Sequence, residues 1–347
     1  MRVAIHQNRD VFDHSTMWDK VWIEYCKENT IDYEVVNCFD NNILEVLKEF
    51  DLLLWHFSHY SLQEMLFART ILSSAKNIGL GVFPDFNTSW HFDDKIAETY
   101  LLSSINAPTP KSWIFYTYKS AVDFFENFND YPIVAKLRCG SGSSNVKLIK
   151  DKYHAKKYTK KMFKNGYKAA PSIVFKAKSN IKSSADIKTI VNRFKRIPDF
   201  IQSLTSAKLL PNEKGYVFLQ EFVPNDGYDL KVVVVGDKLS FLARDVRKGD
   251  FRASGGGTIK YDHNLITKEI RDAAFRISRE LKFQSMGYDF VIDNRNNAPK
   301  IVEISYGFSH VAQIGLGGYW KESGEWIDEP LNAPVEILKN LVEVLID

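Results

Sequence analysis

The sequence predicts a mixed α/β protein, with a parallel sheet of βαβ units at the N-terminus followed by α+β lobes built from hairpins. Three observations lead there. Up to about residue 92, short apolar runs alternate with helical patterns, whereas from residue 131 strands follow one another across turns. A 45% hydrophobic content with 24 Phe, 16 Tyr and 7 Trp supplies buriable area for about two to three domains in 347 residues. This composition excludes a disordered chain.

In order, strands over 2–6, 33–39, 51–57 and 81–83 enclose helical patterns over 17–27, 43–50 and 62–76. Asp94-Lys95 opens a helix that Asn106-Ala107-Pro108 ends; a strand over 112–116 and a helix over 121–128 follow. Further strands are read over 133–137, 146–149, 216–222, 230–235, 238–246, 286–293 and 300–305. An amphipathic helix covers 270–281, and 334–346 is a closing helix.

The formal charge of +3 is a sum of unlike parts: residues 150–214 hold 17 Lys+Arg against 4 Asp+Glu, leaving 29 against 39 elsewhere. Within that basic stretch Ile187, Ile190, Val191, Phe194 and Ile197 recur at helical spacing, which predicts an ordered insertion. Its functional reading is attraction of an acidic acceptor; its bland reading is a solvated basic face. No recognition motif accompanies it, which argues against nucleic acid. Cys26, Cys38 and Cys139 match neither a disulfide framework nor a zinc pattern. The first residues read as a strand rather than a signal peptide, and no apolar run reaches the roughly 18 residues of a membrane span. The expected location is the cytoplasm, with peripheral attachment at the inner membrane surface as its extension.

Two hairpins place candidate chemistry. The turn signal from Asp293 to Pro299 centres on Asn296, so a symmetric hairpin opposes Asp289 to Glu303 and Gly287 to Ser305. Asp289, Glu303 and Ser305 then share a face, and Gly287 leaves room beside them. Directly opposed carboxylates repel unless a cation lies between them, which makes Mg²⁺ a candidate beside a hydrated surface pair. The two-residue turn Gly236-Asp237 opposes Asp229 to Arg244 and puts Lys231 on the same face, where a salt bridge is the simpler reading. Arg247, Arg252 and Gly255-Gly256-Gly257 follow, a composition suited to phosphate. The strand Pro132 to Lys136 runs into a Gly/Ser loop, Gly140, Ser141, Gly142, Ser143 and Ser144, which can lay amides along a phosphate chain. The loop lacks the Gly-Lys-Ser/Thr ending of a Walker motif and leads into a strand.

In this order the motifs resemble the ATP-grasp superfamily, in particular its branch with the ribosomal-protein-modifying glutamate ligase and glutathione synthetase. The resemblance spans about 94–305 and rests on Asp94-Lys95, Pro132 to Lys136 with its loop, Leu219 to Val223, Asp229-Leu230-Lys231, Asp250-Phe251-Arg252, Gly287 to Phe290 and Val302 to Ser305. It implies a pre-ATP-grasp domain over 1–112, a lid lobe over 113–223 with the basic insertion at about 150–214, and a C-terminal lobe over 224–347 carrying the metal. It also implies that Lys95 and Lys136 contact ATP phosphates under the loop Gly140 to Ser144. Glu221 with the backbone of Phe222 and Val223 would read adenine, and Asp229 the ribose. Arg252 would meet the γ-phosphate, and Asp289, Glu303 and Ser305 would hold Mg²⁺ or Mn²⁺. Ser305 replaces the family's Asn, Ala253 and Ser254 stand where another Asn is usual, and Lys231 replaces an Arg that grips the substrate carboxylate.

The implied activity is ATP-dependent ligation of a carboxylate to an amine through an acyl phosphate. An ATP-grasp kinase acting on a hydroxyl and a nucleotide-binding regulator without turnover are the alternatives. Cys139 reads as a turn residue rather than a nucleophile. The aromatics Tyr306, Phe308, His310, Tyr319, Trp320 and Trp326 either line an acceptor pocket or pack as core. The run Glu303 to Phe308 with Gly318-Tyr319-Trp320 resembles ATP-grasp proteins of surface-polysaccharide synthesis, which implies a sugar-acid, glycan or peptide carboxylate, or an acidic lipid-linked acceptor drawn by the basic insertion.

Overall fold

The computed structural model describes residues 1–7, 17–58, 61–140, 145–169, 211–246 and 258–346. Three sheets organise them. In the first, β1 (Arg2–His6) is central between β2 (Asp32–Val36) and β3 (Leu52–Leu54), with β4 (Gly81–Phe83) beyond β3, all parallel. The apolar runs Val3 to Ile5 and Leu52 to Leu54 are fully buried, as a parallel sheet covered on both faces requires.

The second sheet is antiparallel in the order β5 (Ser112–Phe115), β8 (Val217–Glu221), β6 (Ile133–Lys136) and β7 (Val146–Ile149). Two helices, Tyr118–Asn127 and Lys152–Lys164, cover one face and close a separate core around Phe125, Met162 and Phe218. The start of the basic stretch is therefore built into this lobe: Ala155, Tyr158 and Met162 bury the apolar face of its helix while the lysines point out. The helical repeat read over 187–197 lies outside the described residues.

The third sheet runs β13 (Ala298–Ser305), β12 (Ser285–Asp293), β9 (Tyr228–Val235), β10 (Lys238–Asp245), β14 (Tyr319–Lys321) and β15 (Trp326–Ile327), with β11 (Ile259–Lys260) beside β10. Helix Lys268–Glu280 packs Ile270, Ala274 and Ile277 against it, and Ser278 Oγ lies 2.6 Å from the Tyr288 hydroxyl. One continuous core joins this sheet to the N-terminal one. Trp22 Nε1 donates to the Pro334 carbonyl at 2.8 Å, and the Tyr306 hydroxyl to the Phe57 carbonyl at 2.7 Å. Tyr306, Phe308, His310, Tyr319 and Trp320 are all buried, so most of the aromatic C-terminal segment packs as core rather than lining an open pocket.

Candidate active site

The chain crosses from the first lobe to the second and back along two adjacent segments, and a cleft opens beside them between β6 and β8 on one side and β13 on the other. Lys95, Glu98, Lys136, Gln220 and Glu303 are among its polar lining. Helix Lys95–Ser104 forms one wall. Asp94 caps it by accepting from the amides of Ile96 and Ala97 at 3.1 and 3.0 Å, which aims Lys95 inward at the first turn. The Lys95 ammonium donates to the Gly140 carbonyl at 2.8 Å and to Glu303 Oε1 at 3.2 Å. Burial disfavours its charge, but Glu303, Glu98 and Asp93 outweigh that and hold the ammonium above its ordinary range.

Lys136 ends β6 and reaches across the cleft to the Val302 carbonyl at 3.1 Å. Burial pulls it down to about 8, against the attraction of Glu303. The acceptor exists because β13 is irregular. The pairing is Asp293 with Ala298 at the turn and Phe290 with Ile301, but Asp289 with Glu303 and Gly287 with Ser305, leaving Val302 as the extra residue of a bulge. The turn is thus offset by one from the symmetric hairpin the sequence suggests, and the bulge restores the opposition of the two acids.

Asp289 is also the register partner of Lys231 on β9. Its carboxylate lies 2.7 Å from the Lys231 ammonium and 3.2 Å from Arg244. Burial would raise its pKa, yet the two cations prevail and hold it below the usual carboxylate range. Arg244 also grips both oxygens of Asp229, its register partner across the Gly236-Asp237 turn. Two acids and two cations therefore alternate under the cleft, and burial holds Asp229 above the usual range despite Arg244. These pairings accord with the salt-bridge reading of the Gly236-Asp237 hairpin. Asp229 is fully buried and clamped by Arg244, and Lys231 is paired with Asp289. The space over Gly287 is also filled: a Cβ there would come within 3.0 Å of the Ser305 carbonyl oxygen and 3.5 Å of Lys231 Cδ.

The Gly/Ser loop is pinned at its start. The Gly140 amide donates to Asp93 Oδ1 at 2.8 Å, with φ +119° that favours glycine. Arg138 bridges Asp94 and Glu213, both at 3.1 Å, and its own amide donates to the Tyr216 hydroxyl at 2.7 Å. The Cys139 thiol beside Glu213 is pushed up to about 12, first by burial and then by that carboxylate, which rules out a resting thiolate. Ser141 to Ser144, Arg247, Arg252 and Gly255 to Gly257 lie outside the described residues. At the crossing, Glu221 pairs with Arg295 at 2.6 Å and exchanges hydrogen bonds with the backbone of Lys111, while Phe222 and Val223 lead back into the third sheet. Ser305 is engaged locally with Gly307 at 3.1 Å.

Glu98, Asp93 and Glu213 escaped the sequence reading. Glu98 lies three residues after Lys95, a spacing that puts both on one helix face, and it accepts from the Ile304 amide at 3.2 Å. Burial first, and then Glu303 against the pull of Lys95, pushes it up to about 8.

The acid pair is compatible with a magnesium ion. Asp289 and Glu303 share a face with Ser305 nearby, and each acid is balanced by a lysine, Lys231 or Lys95, where a cation is required. Among the described residues no group of three or more His, Cys, Asp or Glu side chains could hold a metal. The available set is thus two carboxylates, the number typical of a magnesium ion that shares its remaining sites with phosphates and water. Among the described residues no helix is long and apolar enough to cross a membrane.

Residues 171–312 match the model of the RimK-like ATP-grasp domain. The alpha-aminoadipate–LysW ligase LysX of Saccharolobus solfataricus is 21% identical over 242 residues, covering 67% of this chain and 72% of that protein. A RimK domain protein ATP-grasp from Sphaerobacter thermophilus, at 15% identity, superposes with a TM-score of 0.52 over 99% of this chain and 100% of its own. The D-alanine–D-alanine ligase of Bacillus anthracis, at 12% identity, does so with a TM-score of 0.57 over 99% and 98%. The fold of the chain is the ATP-grasp fold, and within it residues 171–312 match the RimK-like ATP-grasp domain.

Proposed function

We infer that the protein is an ATP-dependent ligase that joins a carboxylate to an amine by way of an acyl phosphate. The observation that carries this reading is the convergence of Lys95 on Glu303 and of Lys136 on the adjacent Val302 carbonyl, beneath the start of the Gly/Ser loop and beside Asp289. Transfer of a γ-phosphoryl group needs positioning and charge neutralisation more than covalent chemistry. Lys95 and Lys136 would meet phosphate oxygens, and the partial loss of charge that burial imposes on Lys136 would be reversed by an anion. The loop Gly140 to Ser144 would cover the phosphates and keep water from the acyl phosphate. Glu221 with the backbone of Phe222 and Val223 would read adenine, and Arg252 would neutralise the transferred group. Asp289, Glu303 and Ser305 would hold Mg²⁺, or Mn²⁺ in its place, which when bound supplies further charge neutralisation at the phosphoryl group. Lys231 and Arg244 keep Asp289 ionised and oriented. The amine then attacks the acyl carbon, the amide C–N bond forms as the C–O bond breaks, and inorganic phosphate leaves.

The named activities of the relatives, an alpha-aminoadipate–LysW ligase and a D-alanine–D-alanine ligase, support joining a small carboxylate to an amine. They lend no support to a glycan or lipid-linked acceptor. The test is to incubate the full chain with ATP, Mg²⁺, an amino-acid mixture and candidate carboxylates, following ADP and phosphate. ADP and phosphate release that requires both co-substrates and is lost in Lys136→Met and Glu303→Gln is the expected result. A phosphorylated product without phosphate release would instead make it a kinase; nucleotide binding with no ADP from any mixture would make it a regulator.

A further inference from the structure

The lysines of helix Lys152–Lys164 have no part in this chemistry. On helix Lys152–Lys164 the residues Tyr153, Lys157, Lys160, Lys161 and Lys164 are exposed and recur at intervals of three and four, so they form one stripe. Its neighbours Lys152 and Lys156 turn away and pair with Glu126 at 2.8 and 2.5 Å. Among the described residues, no carboxylate lies within ion-pair distance of the stripe lysines.

Lys147, on edge strand β7, joins the stripe through Tyr167. Its ammonium lies 3.6 Å from the centre of that ring and Lys161 lies 4.0 Å from the same centre, while Tyr158 stacks on Tyr167 at 5.2 Å. Burial and the nearby Lys161 both lower the pKa of Lys147. A ring quadrupole offsets only part of the repulsion between two ammonium groups, and an anion would offset the rest.

We propose that this lysine stripe, continued by Lys147, is a docking surface for an acidic polypeptide segment. Three features choose that partner over other polyanions. Every cation on the described face is a lysine, a hydrated point charge suited to single carboxylates, with none of the arginine forks that read phosphates and bases. Tyr153 is the single exposed Phe, Tyr or Trp of the helix, and the Tyr167 ring is covered by its lysines and Tyr158, so among the described residues this face offers no run of rings on which successive bases could stack. The apolar face of the helix is committed to the lobe's core and is not available to enter a bilayer. At about 1.5 Å rise per residue, lysines three or four apart present charges about 4.5 to 6 Å apart along the axis, a spacing that carboxylates on one face of a helix or extended segment reproduce.

The experiment uses the full chain and a fluorescein-labelled oligoglutamate peptide, followed by anisotropy at low and moderate salt. Saturable binding is expected, weakened by added salt and weakened at least about tenfold in the triple variant Lys157→Glu, Lys161→Glu, Lys164→Glu and in Lys147→Glu. The pair Lys152→Ala, Lys156→Ala should bind nearly as the native chain does. If the charge reversals do not fold, by circular dichroism, the glutamine triple at the same positions replaces them, with a smaller loss expected. Absence of peptide binding at low salt overturns the proposal. So does tighter binding of oligothymidylate or phosphatidylserine vesicles than of the peptide, or an equal loss in the Lys152/Lys156 pair.

Discussion

Lys231 and Asp289 are register partners on adjacent strands, and their charged ends meet at 2.7 Å beneath the cleft. Arg244 and Asp229 complete the cluster, so its formal charge is balanced. Asp289→Asn leaves two buried cations sharing one carboxylate and should cost on the order of 3 kcal/mol in urea unfolding. Combining it with Lys231→Met should cost less than the sum of the single changes, because the second substitution removes the surplus cation. Additive losses would show that the pair is not coupled.

Gly287→Ala tests the packing beside that pair. The added methyl would stand 3.0 Å from the Ser305 carbonyl oxygen and 3.4 Å from the Phe308 ring, and the first of these is backbone that moves only with β13. A loss of about 1 to 3 kcal/mol is expected, read as a lowered unfolding midpoint at unchanged m-value. A neutral or stabilising outcome would mean that β12 and β13 are further apart than described.

His91 supplies a pH dependence. Burial, and then the charge of Arg69, pulls it from its ordinary 6.5 to about 3, so the folded chain keeps it neutral while the unfolded chain takes up a proton. Its contribution to stability is complete above about 6.5 and is lost progressively as pH falls toward 3. In His91→Phe, which can keep the tilted ring contact to Phe283, the drop in melting temperature between pH 7 and pH 5 should shrink. Parallel curves for the two proteins would exclude this origin.

The three thiols should resist alkylation. Burial pushes Cys26 up to about 11 and Cys38 further still, while burial and Glu213 push Cys139 up to about 12. Near pH 8 the thiolate fraction of each is depleted more than about tenfold relative to an ordinary cysteine. Iodoacetamide followed by peptide mass mapping should label all three quickly in urea and slowly in the native chain. Fast native labelling of Cys139 would contradict its placement against Glu213.

The parts of the site legible in the sequence are those set by local geometry. A two-residue turn at Gly236-Asp237 settles the opposition of Asp229 and Arg244, because only one register is compatible with it. The Asp289–Glu303 pairing was legible for a less secure reason: the real turn is offset and the bulge at Val302 compensates, which no turn rule announces. Contacts between distant segments were not legible. Glu98 meets Ile304, Arg138 meets Glu213, and Lys231 meets Asp289 only because strands and helices far apart in sequence pack together. The turn alone pairs Asp229 with Arg244, whereas the pairing of Lys231 with Asp289 needs β12 to lie beside β9, which no local rule announces.

The two chain segments that enter and leave the middle lobe run side by side. The Glu221 amide donates to the Lys111 carbonyl at 2.8 Å, and the Lys111 amide to Glu221 at 3.3 Å. Mechanically, this lobe is a leaf hung along one edge. Its opposite edge is fastened by Arg138 to Asp94, Gly140 to Asp93 and Lys95 to Gly140, contacts that part without breaking a covalent bond. Arg138→Ala should therefore loosen the free edge alone, with faster amide exchange at Gly140 and unchanged exchange in β12. Equal acceleration on both sides of the cleft would mean that the lobe is clamped all round rather than latched.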